Sequence, residues 1–413
     1  MKYLIIHGEG FADGSRSSLG GRSLLEAAHT PNLDRLARAG EFGWVTIPVE
    51  GLAPRAELTG LSMLGYDPKK YSTGPAPLEA VGLGISVGEH DIVYRAQLVT
   101  LRSEHASSGK PMNLDAKKLS PSAVLEDANA GGIETDEARE LIDALNEGIG
   151  SETIQFYPGL GHHHYMVWVN GKYRASCTDP LLVQGHAIGE HLPNGDGAEM
   201  LRKVMDASVV VLRDHPVNLD RREAGQHTAT CVWLWGQGRA PRWPALPDTH
   251  GISGAMVSTS NLHRGLGICT GFESIELDEA VSRVGALQAI REGALHELAR
   301  KDLVCVHTDL SALVDRGAPI AEQAKAIEAF DRDLVGPLVE SLRKTGSGRV
   351  MLVCDHSEDP ASPRDSSYKA LAAVVDPAAG ERSNGMAFSE AHATDSGSPI
   401  RDGLRLLTRL LKK

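Results

Sequence analysis

Short continuous apolar runs, separated by segments with helical spacing, constrain the fold of this 413-residue chain more than any other feature. A run of this kind is typical of a strand that is buried on both faces, and strands alternating with helices build a parallel sheet covered by helices. The chain is long enough for a large core and a second domain. We predict buried strands at residues 3–6, 209–212, 231–235, 303–306 and 350–354.

Helix signals lie between these runs. Thr30 followed by Pro31 is typical of an N-cap and a first helical residue. Residues 320–342 carry apolar side chains at helical spacing. The sequence therefore predicts an α/β fold with a mainly parallel sheet.

The middle of the chain has a different pattern. Residues 92–101 alternate in part between polar and apolar, as do residues 164–169, which lead into the turn pair Asn170-Gly171. Such alternation indicates antiparallel, half-exposed strands. We predict a core domain formed by residues 1–87 and 219–413, with a smaller α/β domain inserted at 88–218.

Polar residues follow three of the predicted core strands. The sets are His7-Gly8-Glu9, His307-Thr308-Asp309 and Asp355-His356. Because ligands bind at the carboxyl ends of the strands in open α/β sheets, these ends predict a site. Glu9, Asp355 and His356, with His7 as a further candidate, suit one divalent ion such as zinc or manganese. The alternative is that these are hydrogen-bonded polar groups without a metal.

Composition excludes several classes of partner. The formal net charge of −12 disfavours binding to nucleic-acid phosphates. The N-terminal apolar run is too short for a signal sequence or a membrane span, so we expect a cytoplasmic protein without membrane association. Five separated cysteines without a C-x-x-C pair indicate reduced thiols. A small-molecule ligand is the expected partner, and the oligomeric state stays open.

Several motifs together carry a family resemblance. They include Leu-Ser-Met-Leu-Gly-Tyr-Asp-Pro at residues 61–68, Trp-Leu-Trp-Gly-Gln-Gly at 233–238 and the segments 8–13, 30–36 and 331–337. The chain resembles archaeal-type cofactor-independent phosphoglycerate mutases of the alkaline phosphatase superfamily, over nearly its whole length. The resemblance implies an alkaline phosphatase-like core with an inserted domain, and a phosphate site that holds two divalent metal ions.

The chain departs from this family at the nucleophile. The family pattern P-x-S-D-x-A-N reads Pro-Arg-Ala-Glu-Leu-Thr-Gly at residues 54–60, so Ala56 stands at the nucleophile position. A methyl group has no lone pair and cannot form a phospho-enzyme. Thr59 and Ser62 are the nearest hydroxyls. Thr59 could serve as a substitute nucleophile. The alternative is that Thr59 and Ser62 cap a helix or pack inside the protein.

The metal positions also differ. The resemblance implies that Glu9, the nucleophile, Asp355 and His356 hold one metal ion. The second ion's Asp and His positions are Ala312 and Arg316. We expect these two residues on the opposite side of the cleft from Glu9 and Asp355, with Arg316 supplying positive charge in place of the second ion.

The substrate pocket is predicted from family positions and from a histidine run. The candidates are Arg95, Gln97, His162, His163, His164, Asp179 and Arg316. In a strand, His162 and His164 would share one face, which could chelate a metal. The alternative is a surface cluster of histidines.

Three functions remain open from the sequence. The first is a mutase homologue without mutase activity, which serves as a binding or regulatory paralogue. The second is a single-metal enzyme with altered chemistry on the same scaffold. The third is residual isomerisation of 2- and 3-phosphoglycerate through another nucleophile. Bound metal would favour the second over the first.

Overall fold

The protein forms two compact units. The computed structural model describes residues 1–12, 19–48, 55–103, 118–277, 283–315, 317–356, 368–381, 385–397 and 400–412, without the side chains of residues 283, 284 and 356. Unit 1 consists of Met1–Ser72 and Arg242–Lys413, and unit 2 of Thr73–Pro241. Unit 2 is therefore longer at both ends than the 88–218 expected from the sequence.

The strands in the described ranges are numbered in chain order. They are β1 (Lys2–Ala12), β2 (Glu41–Thr46), β3 (Ile92–Arg102), β4 (Val124–Asp127), β5 (Ile154–Tyr157), β6 (His163–Trp168), β7 (Cys231–Arg239), β8 (Gly254–Val257), β9 (Glu273–Ile275), β10 (Leu303–Asp309), β11 (Gly348–His356) and β12 (Lys369–Val375).

The helices are numbered in the same way. They are α1 (Leu24–Ala27), α2 (Pro31–Ala39), α3 (Ala56–Met63), α4 (Pro68–Tyr71), α5 (Pro75–Gly82), α6 (Thr135–Ile149), α7 (Ala198–Arg213), α8 (Pro216–Glu223), α9 (Leu246–His250), α10 (Asn261–Cys269), α11 (Arg283–Arg300), α12 (Leu310–Leu313), α13 (Ile320–Ala329), α14 (Gly336–Lys344), α15 (Glu390–Asp395) and α16 (Leu406–Leu411). A π-helical segment, Phe330–Val335, joins α13 to α14.

Unit 1 is built on a seven-stranded sheet in the order β2-β12-β11-β1-β10-β8-β9. The five strands from β11 to β9 run parallel. Strand β12 pairs antiparallel with both β11 and β2, so β12 alone among these seven strands runs in the opposite direction. The prediction of a mainly parallel core is confirmed. Apolar runs form β1, β10 and β11 because their residues are buried on both faces of the sheet.

Unit 2 is built on a smaller antiparallel sheet in the order β4-β3-β6-β5, with β7 paired to β3. The predicted half-exposed character of β3 is wrong. All but two of its residues are buried, because α7 packs on the neighbouring β7 and α5 packs on β3 and β7. The pairing of β7 with β3 also explains why the unit extends past residue 218.

One predicted strand is a helix. Residues 209–212 lie in α7, where Leu201, Met205 and Val209 face the core and Val210 is exposed. Four consecutive apolar residues fit either a buried strand or a helix that carries one apolar residue on its outer face. None of the helices in the described ranges is both long and apolar enough to cross a membrane.

Candidate metal centre

Polar side chains gather where neighbouring parallel strands of unit 1 end. His7 and Glu9 come from β1, His307 from β10 and Asp355 from β11, and these three strands are adjacent in the sheet. Helix α10, which follows β8, contributes His263. The carboxyl ends of parallel strands meet at one edge, so the topology itself brings these groups together.

Strand register places the first two histidines side by side. His7 of β1 is the direct partner of His307 of β10, and directly paired residues of neighbouring strands project from the same face. Leu4 and Ile6 project from the other face into the main apolar core of the unit. The histidines therefore occupy the face that α10 covers.

Helix α10 lies close enough to the sheet to add the third histidine. A Cβ at Gly267 would lie 2.5 Å from the Cβ of Met256 on β8, so only glycine permits this approach. One turn earlier in the helix, the His263 ring stacks on His307 with ring centroids 3.3 Å apart and planes 8° from parallel. The His7 ring centroid is 5.3 Å from that of His263 and 5.1 Å from that of His307.

All three imidazoles are shielded from solvent, at 0–1% exposure. Burial, reinforced by the neighbouring imidazoles, lowers the pKa of His263 and of His307 well below the usual range of histidine. These two rings are therefore neutral near pH 7, and a neutral imidazole keeps a lone pair for a hydrogen bond or a metal ion. One ligand nitrogen from each of the three histidines can be chosen so that all lie within 4.8 Å of one another.

Two carboxylates adjoin the imidazoles. Glu9 Oε2 lies 3.0 Å from His307 Nε2, and Asp355 Oδ2 lies 3.2 Å from His7 Nε2. The other oxygen of Asp355 accepts a hydrogen bond from the Gly10 amide at 3.3 Å. On the far side of its ring, His307 Nδ1 is 2.9 Å from Ser258 Oγ. Glu9 and Ser258 thus fix the ring of His307, and the Gly10 amide holds Asp355 beside His7.

Several atoms of the cluster have no hydrogen-bond partner in the described structure. They are both ring nitrogens of His7, Nε2 of His263 and Oδ2 of Asp355. His7 Nε2 and Asp355 Oδ2 are therefore 3.2 Å apart, but they are not aligned for a hydrogen bond. Buried polar atoms without partners cost about 1–3 kcal/mol each, so this donor set fits a bound cation.

The residue that the family resemblance equates with the nucleophile lies at the start of α3. Ala56 is the first residue of that helix and is 4% exposed. Thr59 lies one turn further in, fully buried, with its hydroxyl unpartnered. A Cβ at Gly60 would lie 2.6 Å from Leu266 of α10, so α3 packs directly on the helix that carries His263.

The structure describes only some of the remaining residues at predicted metal positions, which are His356, Ala312 and Arg316. The backbone of His356 pairs with Ala12 at the end of β11, and its side chain lies outside the described residues. Ala312 lies in α12, which directly follows β10. Arg316 falls outside the described residues, so its expected role as a substitute charge stays a prediction.

In unit 2, two predicted pocket residues hold the fold together. Arg95 forms an ion pair with Glu79, and its guanidinium lies 4.6 Å from the ring of Trp235. The buried Gln97 donates to Ala128 O at 2.7 Å and accepts from Trp235 Nε1 at 2.9 Å. Both side chains therefore make contacts that stabilise the unit-2 sheet.

The members of the histidine run lie in different environments at the start of β6. Strand β6 begins at His163, and the rings of His162 and His163 lie 3.9 Å apart, while His164 is buried and accepts a hydrogen bond from Gly159 N–H. Within the described residues, the group that could hold a metal is His7, His263 and His307. Asp179 caps the turn at Pro180–Leu182 by accepting from Leu181 N–H.

Comparisons with known proteins decide the family. The model of a family described as 2,3-bisphosphoglycerate-independent phosphoglycerate mutase matches residues 37–218. One relative, from Geobacter sulfurreducens, is named a probable 2,3-bisphosphoglycerate-independent phosphoglycerate mutase. It is 34% identical to this chain over 417 residues, and the alignment covers 100% of both chains. The chain belongs to this family. A mutase of the same name from Methanothrix thermoacetophila is 34% identical and matches over 86% of each chain. The resemblance drawn from the motifs is confirmed.

Solved structures share the fold. A cofactor-independent phosphoglycerate mutase from Thermoplasma acidophilum aligns with a TM-score of 0.59 at 21% identity, covering 100% of this chain and 99% of its own. A protein from Pyrococcus horikoshii aligns with a TM-score of 0.70 at 21% identity, covering 99% and 96%. At this identity the alignments support the α/β architecture alone.

Sequence reasoning missed His263 as a site residue. His307 stood among the polar strand ends but not among the predicted ligands. A single histidine in an amphipathic helix has no ligand-spacing signal, since its partners come from strands far away in sequence. The signal that could have found His307 is the strand-end pattern it shares with His7.

Proposed function

We propose that this member of the mutase family has lost phosphoglycerate mutase activity and serves as a binding or regulatory paralogue for a small-molecule ligand. The observation that carries the proposal is Ala56, a buried methyl at the first residue of α3, where the family pattern has the hydroxyl that accepts the phosphoryl group. Without that hydroxyl the two-step transfer has no covalent intermediate.

Thr59, the nearest hydroxyl along α3, is a poor replacement for the missing nucleophile. Thr59 is three residues further along α3, about 4.5 Å along the helix axis, and is fully buried. At Ala312, the position of a carboxylate ligand in the family pattern, a methyl group cannot hold a second ion. Clamping both the attacking and the leaving oxygen requires two ions, so charge stabilisation would fail together with the nucleophile.

A direct assay tests this proposal. We expect no measurable conversion of 3-phosphoglycerate to 2-phosphoglycerate by the purified protein in the presence of manganese, magnesium or zinc. Ala56→Ser alone should not restore activity, because groups that act as a unit recover little when one of them is returned.

The assay needs a control for contaminating mutase. Wild type and Thr59→Ala should be purified in parallel from a host whose own mutase has been deleted. Turnover by the wild type that Thr59→Ala abolishes would overturn the proposal and identify Thr59 as the nucleophile. If neither the wild type nor Thr59→Ala shows turnover, the result supports the loss of mutase activity.

A single-metal enzyme with altered chemistry is the second candidate. The buried imidazoles of His7, His263 and His307 favour it, because a purely relict site would have no need for three buried polar rings. The choice between these two candidates depends on whether the cluster binds metal.

A further inference from the structure

We propose that His7, His263 and His307 bind one zinc-class divalent ion, with Asp355 completing the ligand set. This site differs from the set that the family resemblance implies, Glu9 with Asp355 and His356, since its three nitrogen ligands lie outside that set. It also stands whether or not mutase activity is lost.

The first support is convergence. The three rings come from two adjacent strands and the helix that covers them, and their ligand nitrogens lie within 4.8 Å of one another. Two ligands of a tetrahedral ion lie about 3.4 Å apart when each bond is about 2.1 Å. Nitrogens that are now up to 4.8 Å apart would therefore have to approach one another by up to about 1.4 Å to bind one ion.

The second support is the spacing of the carboxylates. Two ligands of one ion at tetrahedral or right angles lie about 3.0–3.4 Å apart when each bond is about 2.1 Å. The contact between Asp355 Oδ2 and His7 Nε2 is 3.2 Å. Neither atom makes a hydrogen bond in the described structure, although they are this close. Their separation is therefore the one expected of two ligands on one ion.

The third support is the set of groups behind the rings. His307 Nδ1 lies 2.9 Å from Ser258 Oγ, and Ser258 Oγ also accepts from Ser260 N–H at 3.0 Å. His263 Nδ1 lies 3.4 Å from Ser260 Oγ. A metal-bound histidine typically uses its other nitrogen to donate to an oxygen, which fixes the ring. The two serines are in place to do this. They leave Nε2 of His263 without a partner in the described structure, while Nε2 of His307 would exchange its contact with Glu9 Oε2 at 3.0 Å for the ion.

The donor set selects the kind of metal. Three imidazole nitrogens and a carboxylate suit borderline ions such as zinc, cobalt or nickel, whereas magnesium and calcium prefer oxygen ligands. Of zinc, cobalt and nickel, zinc fits this ligand set best, because zinc is commonly bound in tetrahedral sites by nitrogen and oxygen ligands.

A purely structural cluster makes a different prediction. If the three rings only fill space, replacing His7 by leucine removes two buried ring nitrogens that have no hydrogen-bond partner in the described structure, and the change should be neutral or stabilising. If they hold an ion, the same change removes the ion and the stability that binding adds. The two cases therefore differ in the sign of the effect on thermal stability.

Metal content of the full chain is the first measurement. The protein should be expressed without a histidine tag, purified without chelator and analysed by mass spectrometry of the elements. We expect about one equivalent of zinc per chain, and a lower melting temperature after dialysis against a chelator that zinc, but not magnesium, reverses. A chain that takes up no zinc, cobalt or nickel would overturn the proposal.

Variants locate the ion. His7→Leu and His263→Gln should weaken zinc binding at least about 100-fold, and Ser258→Ala about tenfold, through loss of a ligand and of an orienting group. The matched control is His250→Gln, an exposed histidine of the same unit, which should bind zinc as the wild type does. Zinc binding that survives His263→Gln but is lost in Asp355→Asn would place the ion elsewhere and contradict the proposal.

A spectroscopic variant keeps the test sharp if these proteins fold poorly. His263→Cys replaces one ligand by another, so the protein should still bind cobalt. A thiolate-to-cobalt charge-transfer band in the near ultraviolet would show residue 263 on the metal. Cobalt binding by His263→Cys without that band would exclude it.

Discussion

His164 is a buried imidazole whose protonation the fold opposes. It is fully shielded from solvent, and its Nδ1 accepts a hydrogen bond from Gly159 N–H at 3.0 Å. Burial, with a smaller effect of nearby His162, lowers the pKa of His164 to about 3. Protonating the ring would require charging a desolvated group and would turn the accepting nitrogen into a donor.

This residue should make the protein sensitive to acid. The unfolded chain binds a proton at His164 with a pKa near 6.5, so the stabilising contribution is complete above pH 6.5 and declines as the pH falls toward the folded value. From pH 7.5 to 5.0 this one group should reduce the free energy of unfolding by about 2 kcal/mol. His164→Asn keeps an acceptor for Gly159 N–H but cannot ionise, so urea unfolding should show that part of the pH dependence removed.

The matched control is His186→Asn, which removes an exposed histidine of the same unit. It should retain the full loss of stability in acid. A pH dependence that is the same in His164→Asn and wild type would show that His164 binds a proton as readily in the folded state as in the unfolded chain.

For single residues, the sequence predicts which strand residues belong to the site better than it predicts which helix residues do. His7, Glu9 and Asp355 could be foreseen because polar residues that follow apolar runs fall at one sheet edge. His263 could not, because its neighbours are set by the packing of α10 on the sheet. The expected shared face of His162 and His164 depended on a strand that begins one residue later, at His163.

Among the elements, the N-terminus of α2 is held by a residue almost 300 positions away. Thr30 makes no side-chain cap hydrogen bond despite its position before Pro31. Instead, buried Asp331, in the π-helical segment, accepts from Asn32 N–H at 3.2 Å and from Leu33 N–H at 2.7 Å. These are free amides of the first helical turn, so Asp331 acts as the cap.

Removing this cap should destabilise unit 1. Asp331→Ala leaves two amides without their acceptors and should lower the free energy of unfolding by about 3 kcal/mol. Asp331→Asn keeps one acceptor oxygen but loses the charge at the helix N-terminus, so about 1–2 kcal/mol is expected. Asp333→Ala, which removes an ion pair at the protein surface with Arg332, is the control and should change stability by less than about 0.5 kcal/mol. Equal losses for both Asp331 variants in urea unfolding would rule out the capping role.

The sequence signal for α2 was correct about the helix and about Thr30 as its N-cap position, but the free amides bond to Asp331 and not to the Thr30 side chain. Local residues predict where a helix begins because proline and threonine have local conformational preferences. They cannot reveal which distant acceptor reaches the free amides. The misassigned run at residues 209–212 has the same cause, since an apolar run alone does not show whether its environment is a sheet or a helix surface.

For the whole molecule, the parallel core could be predicted but the limits of unit 2 could not. The Gly238 Cα approaches Thr73 so closely that a Cβ would lie 1.6 Å from the Thr73 oxygen. This contact ties the first residue of the unit to the end of β7. A boundary set by such tertiary contacts has no local composition signal, and the change of pattern near residue 88 marks only the start of β3.

The five cysteines provide a test that covers both units. Cys231, Cys305 and Cys354 are buried, and Cys177 and Cys269 are partly exposed. Burial raises the pKa of Cys177, Cys231 and Cys269 to about 12, and raises those of Cys305 and Cys354 as well. Thiols react with disulfide reagents as thiolates, so at pH 8 even the partly exposed pair should react about 10³-fold more slowly than a free thiol.

We therefore expect five reactive thiols in guanidinium and at most two, slow ones in the native protein. Cys177→Ser/Cys269→Ser should remove the slow native phase and leave three thiols that react only on unfolding. The order in which those three appear along a denaturant series reports on the units separately, because Cys231 lies in unit 2 and the other two in unit 1. A thiol of the native protein that reacts at the rate of free cysteine would contradict the burial on which this expectation depends.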